Sequence, residues 1–170
     1  RSWFCRGLHI LFHGGVRMKT QWKKLLISVA PPLITGGIAA LLTYDSMKLY
    51  DLMNKPAASP PAWIFPVVWT ILYVLMGIAS YLVLTSGKPV IFAESLYLLQ
   101  LFFNFVWPLL FFNRQWYLLS WIWLVLLWVL VFLTLAAFRK ISRCASLLLL
   151  PYLLWLTFAG YLNLAVYLLN

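Results

Sequence analysis

The hydrophobic positions of the chain fall into five long runs, separated by short polar or proline-rich stretches. About 20 apolar residues at ~1.5 Å each span ~30 Å, the thickness of the hydrocarbon core of a bilayer. The runs are continuous rather than alternating, which favours helices over the strands of a membrane barrel. The pattern predicts an all-α integral membrane protein, a five-transmembrane-helix bundle with spans at residues 25–44, 62–85, 90–112, 116–138 and 144–169.

The residues before the first span show a different pattern. Segment 1–17 is apolar only in short pieces, whereas Met18 opens a basic stretch directly before the first span. We expect 1–17 to be a leader or N-terminal extension from a misplaced start in a prokaryotic gene, and 18–170 to be one membrane domain. His9 and His13 have the i, i+4 spacing of helical metal ligands. Two such histidines are usually incidental, so no metal site is predicted.

Composition excludes a soluble protein, because 65% of the residues are hydrophobic and 9% are charged, against about 25% charged residues in soluble domains. The net charge of +10 does not predict nucleic-acid binding, since the cations stand at the ends of apolar runs. Ten of the thirteen lie on the side of the N-terminus and of the second and fourth loops. The positive-inside rule then places the N-terminus in the cytoplasm and the C-terminus outside a prokaryotic cell membrane.

The first span and the connection after it contain features that bear on packing. Pro31-Pro32 interrupts the span and predicts a kink, and Gly36 with Ala40 forms a small-xxx-small pair that permits close helix approach. The connection, residues 45–61, is the longest in the chain and ends in a proline-rich segment. Either an ordered cap over the mouth of the bundle or a flexible surface loop fits this composition.

The second and third spans each carry polar groups on one helical face. Trp69, Tyr73, Met76 and Ser80 follow i, i+4, i+7 and i+11 spacing, which predicts either a binding wall or ordinary helix packing. In the third span the aligned residues are Gln100, Asn104, Trp107 and Phe111. Carboxamides are unfavourable against lipid, so this face points inward, toward a ligand or toward interhelical hydrogen bonds. Pro108 predicts a kink beside Trp107.

The last two spans differ in polarity. The fourth has almost no polar residue and is predicted to be the most lipid-exposed helix; a basic loop at 139–143 follows it. The fifth carries two adjacent faces: one with Pro151, Trp155, Phe158 and Leu162, the other with Tyr152, Ala159, Asn163 and Val166.

Three sequence motifs of this chain, in their order and spacing along it, resemble those of the translocator protein family, also called tryptophan-rich sensory proteins (TspO/MBR). The resemblance covers residues 24–170. The first stretch contains Lys55-Pro56, Pro60-Pro61-x-Trp63 and the run from Pro66 through Trp69 and Tyr73 to Gly77. The second runs from Leu99-Gln100 through Asn104 to Trp107, followed by Phe111-Phe112. The third runs from Pro151-Tyr152 through Trp155, Phe158-Ala159 and Tyr161 to Leu162-Asn163.

The resemblance implies a five-helix bundle, usually a homodimer, whose pocket opens toward the long first loop. It implies a porphyrin or another flat hydrophobic ligand, membrane lipid as surroundings, and no required cofactor. By motif position the ligand-binding residues are Tyr50, Trp69, Tyr73, Asn104, Trp107, Trp155 and Ala159; Gln100 joins them by its spacing from Asn104. Leu49 and Ala58 replace aromatic residues of the family's first loop, which predicts a less aromatic cover over the pocket.

The pocket residues and the family resemblance together predict three alternative functions. The first is a receptor or carrier for protoporphyrin-type tetrapyrroles, whose flat rings stack on indoles and whose polar groups Asn104 and Gln100 can bind. The second is a light-dependent porphyrin-degrading enzyme, for which the resemblance implies Trp69 and Trp155 as catalytic candidates. The third is a structural membrane subunit without a small ligand.

Overall fold

The computed structural model describes residues 15–50, 53–54, 56 and 58–170. For residues 15–21 and 47–50 it describes the backbone only. The described chain forms five helices and a short π-helical turn. They are α1 (Gly15–Tyr50), α2 (Ile64–Leu84), α3 (Ile91–Pro108) with the turn Leu109–Asn113, α4 (Tyr117–Ile141) and α5 (Arg143–Leu169). All five are long and apolar enough to cross a bilayer. The predicted all-α membrane bundle is therefore confirmed.

Helix α1 is longer at both ends than the predicted span. It continues through residues 45–50, so the predicted connection is helical in its first part; no proline occurs there to stop it. Pro31 and Pro32 lie inside α1 without ending it. The predicted leader falls mostly on residues 1–14, outside the described part of the chain together with His9 and His13, and it stays a prediction.

Helices α1 and α2 approach each other closely at glycines of both helices. A Cβ on Gly77 would lie 3.0 Å from the Ser28 carbonyl oxygen, the group that Pro32 leaves without its helical N–H donor. On the other side, a Cβ on Gly36 would collide with the ring of Tyr73. Gly36 of the Gly36/Ala40 pair therefore serves packing within one chain. The homodimer remains a prediction that rests on the family resemblance alone.

The helix continues past Pro108, and the connection between α4 and α5 is tighter than predicted. After Pro108 the helix does not stop but widens into the π turn, consistent with a bend at this proline. Between α4 and α5 only Ser142 leaves the helical conformation, with φ −145° and ψ 118°, and its Oγ accepts a hydrogen bond from the Ala145 N–H. The predicted basic loop at 139–143 is thus a sharp corner, because a capping serine starts α5 at once.

Helix α1, rather than α4, is the most peripheral member of the bundle. Only 17% of the apolar part of α1 is buried, compared with 28% for α4 and 44% for α2 and α5. The expectation that the fourth span is most lipid-exposed is wrong, since hydropathy alone does not reveal which helix lies at the edge. Helices α2 and α5 form the centre.

Candidate ligand-binding site

A cavity of about 110 Å³ lies between α1, α2 and α3, in the half of the bundle that faces the long first loop. Its walls are almost entirely apolar, and the main polar groups that reach it are on Thr43, Tyr73 and Asn104. The lining residues are Gly36, Ala39, Ala40 and Thr43 of α1, Phe65, Pro66, Trp69 and Tyr73 of α2, and Asn104, Trp107, Pro108 and Phe112 of α3 and its π turn.

Aromatic rings make the wall opposite α1. Trp69 stacks on Tyr73 with ring centroids 5.5 Å apart, because i, i+4 residues share a helical face. Across the helix interface its ring lies 6.2 Å from that of Trp107. Trp107 in turn stacks on Phe111 at 5.7 Å. The cavity therefore offers indole and phenol surfaces to a flat apolar group.

A buried hydrogen-bond network joins three helices behind this wall. The Tyr73 hydroxyl donates to Asn104 Oδ1 at 2.7 Å, and Asn104 Nδ2 donates to the Tyr152 hydroxyl at 2.7 Å. The Tyr152 hydroxyl donates to Gln100 Oε1 at 3.2 Å. Gln100 and Asn104 are 1% and 2% exposed. The predicted inward direction of both amides is confirmed. Asn104 links helices by hydrogen bonds and also lines the cavity.

Asn163 of α5 holds the indole of Trp107. The Asn163 amide satisfies its neighbours best when its oxygen accepts from Trp107 Nε1 at 3.1 Å and its nitrogen donates to the Tyr117 carbonyl at 3.0 Å. Ser120 Oγ lies within hydrogen-bond distance of the same amide. Trp107 therefore has its N–H turned toward α5 and an apolar ring face left for the cavity.

The structure brings together some of the predicted site residues and separates others. Trp69, Tyr73, Asn104 and Trp107 line the cavity. Gln100 lies behind it, in the hydrogen-bond network, and Ala159 is buried on α5 without lining it. Tyr50 ends α1, but its side chain is outside the described residues.

Trp155 lies on a different surface from Trp69. It lines an open groove of about 440 Å³ between α2 and α5, together with Val68, Leu72, Pro151 and others. Its ring meets Phe65 edge-on at 5.9 Å, and Phe65 lines the central cavity. Its Nε1 is buried and has no hydrogen-bond partner among the described residues. The two catalytic candidates therefore do not share one cavity.

Sequence reasoning missed the contribution of α1. Gly36, Ala39, Ala40 and Thr43 repeat at helical spacing and line the cavity, whereas the sequence predicts only close packing, from Gly36 and Ala40. The role of Asn163 was also missed, because the spacing places it on one face with Tyr152 and Ala159 without indicating what that face contacts.

The described part of the first loop packs against the cavity end of the bundle. Asn54 N–H donates to Asn170 Oδ1 at 3.2 Å, and Asn170 Nδ2 donates back to the Asn54 carbonyl at 3.0 Å. The Tyr117 hydroxyl lies 3.5 Å from the sulfur of Met53. These contacts attach Met53 and Asn54 to the ends of α4 and α5.

The sequence profile of the TspO/MBR family matches residues 28–169, which include every residue lining the cavity. The chain belongs to the TspO/MBR family. Its similarity to individual members of the TspO/MBR family extends over most of the membrane domain. Tryptophan-rich protein TspO of Chlorobaculum tepidum is 44% identical over 124 residues, 71% of this chain and 78% of the relative.

Two further relatives match over a larger share of the chain. Tryptophan-rich protein TspO of Archaeoglobus fulgidus is 38% identical over 152 residues, 86% of this chain and 97% of the relative. Translocator protein of Bos taurus is 33% identical over 154 residues, 86% of this chain and 89% of the relative. The chain is thus a multi-pass membrane protein of the TspO/MBR family, similar to these proteins over most of its length.

Proposed function

We propose that this protein is a membrane receptor or carrier that binds tetrapyrroles of the protoporphyrin type in the cavity between α1, α2 and α3. The observation that carries the proposal is the pairing of an aromatic wall with one buried polar pair. Trp69 and Trp107 offer ring faces, and Tyr73 with Asn104 brings a hydrogen-bonded hydroxyl and amide to the same wall. A porphyrin, a flat apolar macrocycle with polar nitrogens and acidic side arms, matches this chemistry.

The size of the cavity sets a condition on binding. Its volume of about 110 Å³ is smaller than the ~150 Å³ cavity that accommodates benzene, so one ring of a macrocycle is the most it accepts as it stands. Binding a whole macrocycle requires one wall to move outward. Helix α1 is the wall with the least burial, and it meets the aromatic wall through small residues. We expect α1 to shift on binding.

The end of the bundle at which the cavity lies indicates the side of the membrane from which the ligand enters. At the end of the bundle opposite the cavity, the described cations include Lys24, Lys88, Arg139 and Arg143. Arg114 is at the cavity end. The positive-inside rule puts the cation-rich end in the cytoplasm. We therefore propose that the ligand enters from outside the cytoplasm, in line with a sensory or transport role.

Porphyrin titration of the purified protein tests the proposal. We expect saturable quenching of tryptophan fluorescence in the dark, and a pigment absorbance that stays stable under light. Light-dependent bleaching that requires the protein would favour the degrading enzyme instead. Trp69 and Trp155 lie on separate surfaces, so the degrading reaction would have no pocket that contains both tryptophans. Absence of both quenching and bleaching would contradict ligand binding and favour a structural subunit.

A further inference from the structure

Helix α3 carries a line of polar side chains inside the bundle, on the side of the network away from the cavity. Glu94, Tyr97, Gln100 and Asn104 are spaced three or four residues apart and so share one face. Ser80 of α2 donates to Glu94 Oε2 at 3.1 Å. The line extends ~15 Å along the helix, from the end opposite the cavity to the cavity wall.

Two atoms in the middle of this line have no hydrogen-bond partner among the described residues: the Tyr97 hydroxyl and Gln100 Nε2. Both residues are deeply buried, 2% and 1% exposed. The ring of Tyr97 is held by stacking on Phe138 of α4 at 6.0 Å, and Gln100 Oε1 already accepts from Tyr152. Buried polar atoms of native proteins nearly always have partners, in protein or in ordered water.

We propose a buried water site between Tyr97 and Gln100, which completes a continuous hydrogen-bonded chain from Glu94 to Tyr73. One or two waters accept from Gln100 Nε2, bond to the Tyr97 hydroxyl and reach the Glu94 carboxylate. From Gln100 the chain continues through Tyr152 and Asn104 to the cavity wall. A change at Glu94 is thereby transmitted to the polar pair that faces the cavity.

Water fits this position better than a metal cation. The unsatisfied atom of Gln100 is an amide nitrogen, which donates and therefore repels a cation, whereas water accepts from it and donates onward. Tyr97 accepts or donates through one hydroxyl, and the Glu94 carboxylate accepts. A water between them has the two to four polar partners that buried waters require.

Thermal unfolding in lipid nanodiscs tests the site without any ligand, so its outcome is separate from that of tetrapyrrole binding. Tyr97→Phe keeps the ring and its stacking but removes the hydroxyl. If the hydroxyl is bonded to water, we expect Tm to fall by ~2–4 °C. If it is unsatisfied, its removal relieves a penalty and Tm rises. The matched control is Tyr161→Phe at a half-exposed position, with unchanged Tm. An unchanged or raised Tm for Tyr97→Phe would overturn the site.

Amide NMR tests the site and the continuity of the chain. With ¹⁵N-labelled glutamine, we expect a through-space contact between water and the Gln100 side-chain amide, identified by its loss in Gln100→Leu. With ¹⁵N-labelled asparagine, Glu94→Gln should shift the Asn104 side-chain signal. Thr157→Ala, which removes an exposed hydroxyl that accepts a hydrogen bond from Trp128, should leave that signal in place. A Gln100 amide without water contact, or an Asn104 signal indifferent to Glu94→Gln, would contradict the chain.

Discussion

The backbone of Gly36 in α1 lies directly against the ring of Tyr73 in α2, with no room for a Cβ between them. This contact determines where the phenol sits, and hence where its hydroxyl meets Asn104 at 2.7 Å. Because Gly36 has no Cβ, the Tyr73 ring can pack against α1 and bring the Tyr73–Asn104 pair to the cavity wall.

Gly36→Ala should destabilise the protein. The added methyl must displace the Tyr73 ring, and overpacking of this kind usually lowers the free energy of unfolding by ~1–3 kcal/mol. Gly37→Ala is the matched control, since a Cβ there meets nothing within 4 Å and alanine favours the helix. Thermal unfolding in nanodiscs measures both. Equal stability of the two variants would contradict the Gly36–Tyr73 contact.

Trp69→Phe should weaken porphyrin binding by ~0.5–1.5 kcal/mol, the scale of one aromatic pair, which is about 2- to 12-fold in Kd. The substitution keeps an apolar ring in the cavity but removes part of its stacking surface. Fluorescence or absorbance titration measures the effect.

Two other tryptophans serve as controls for that titration. Trp155→Phe changes the outer groove, so we expect a smaller loss than for Trp69→Phe; a larger loss would assign the ligand to the groove. Trp123→Phe changes a residue that stacks on Phe103 at 4.3 Å and donates to its carbonyl. We expect Kd to be unchanged there, and an effect as large as that of Trp69→Phe would reject the cavity as the binding site.

Tyr73→Phe and Asn104→Leu should each destabilise the bundle, by an average of ~0.6 kcal/mol per interhelical bond. Because they remove opposite partners of one hydrogen bond, the double variant should lose less than the sum of the two. Additive losses would indicate that the bond contributes nothing. Asn104→Leu should also weaken porphyrin binding, whereas a loss of stability with unchanged Kd would leave Asn104 as interhelical glue alone.

A topology reporter tests the orientation. Fused after Asn170 it should be active outside the cytoplasm, and inserted at Ser142 it should be active inside, because most cations lie at the Ser142 end. The opposite pattern would reverse the proposed entry side of the ligand.

The sequence alone was sufficient for the membrane class, the five spans and the inward faces of α2 and α3. These features follow from local physics: lipid accepts only long apolar helices, and a carboxamide such as Gln100 or Asn104 has to turn away from it. The motif around Trp69 and Trp107 likewise placed both residues on the wall they occupy.

Tertiary structure alone decided which helices are neighbours. Helical spacing says that Trp155 and Tyr152 occupy adjacent faces, but not that Tyr152 joins the central network while Trp155 borders an outer groove. It also does not say that α1 closes the cavity, because small residues such as Gly36 permit close packing without naming the partner. The rotation of each helix is determined by which side chain fills which gap, and that depends on residues far apart in the chain.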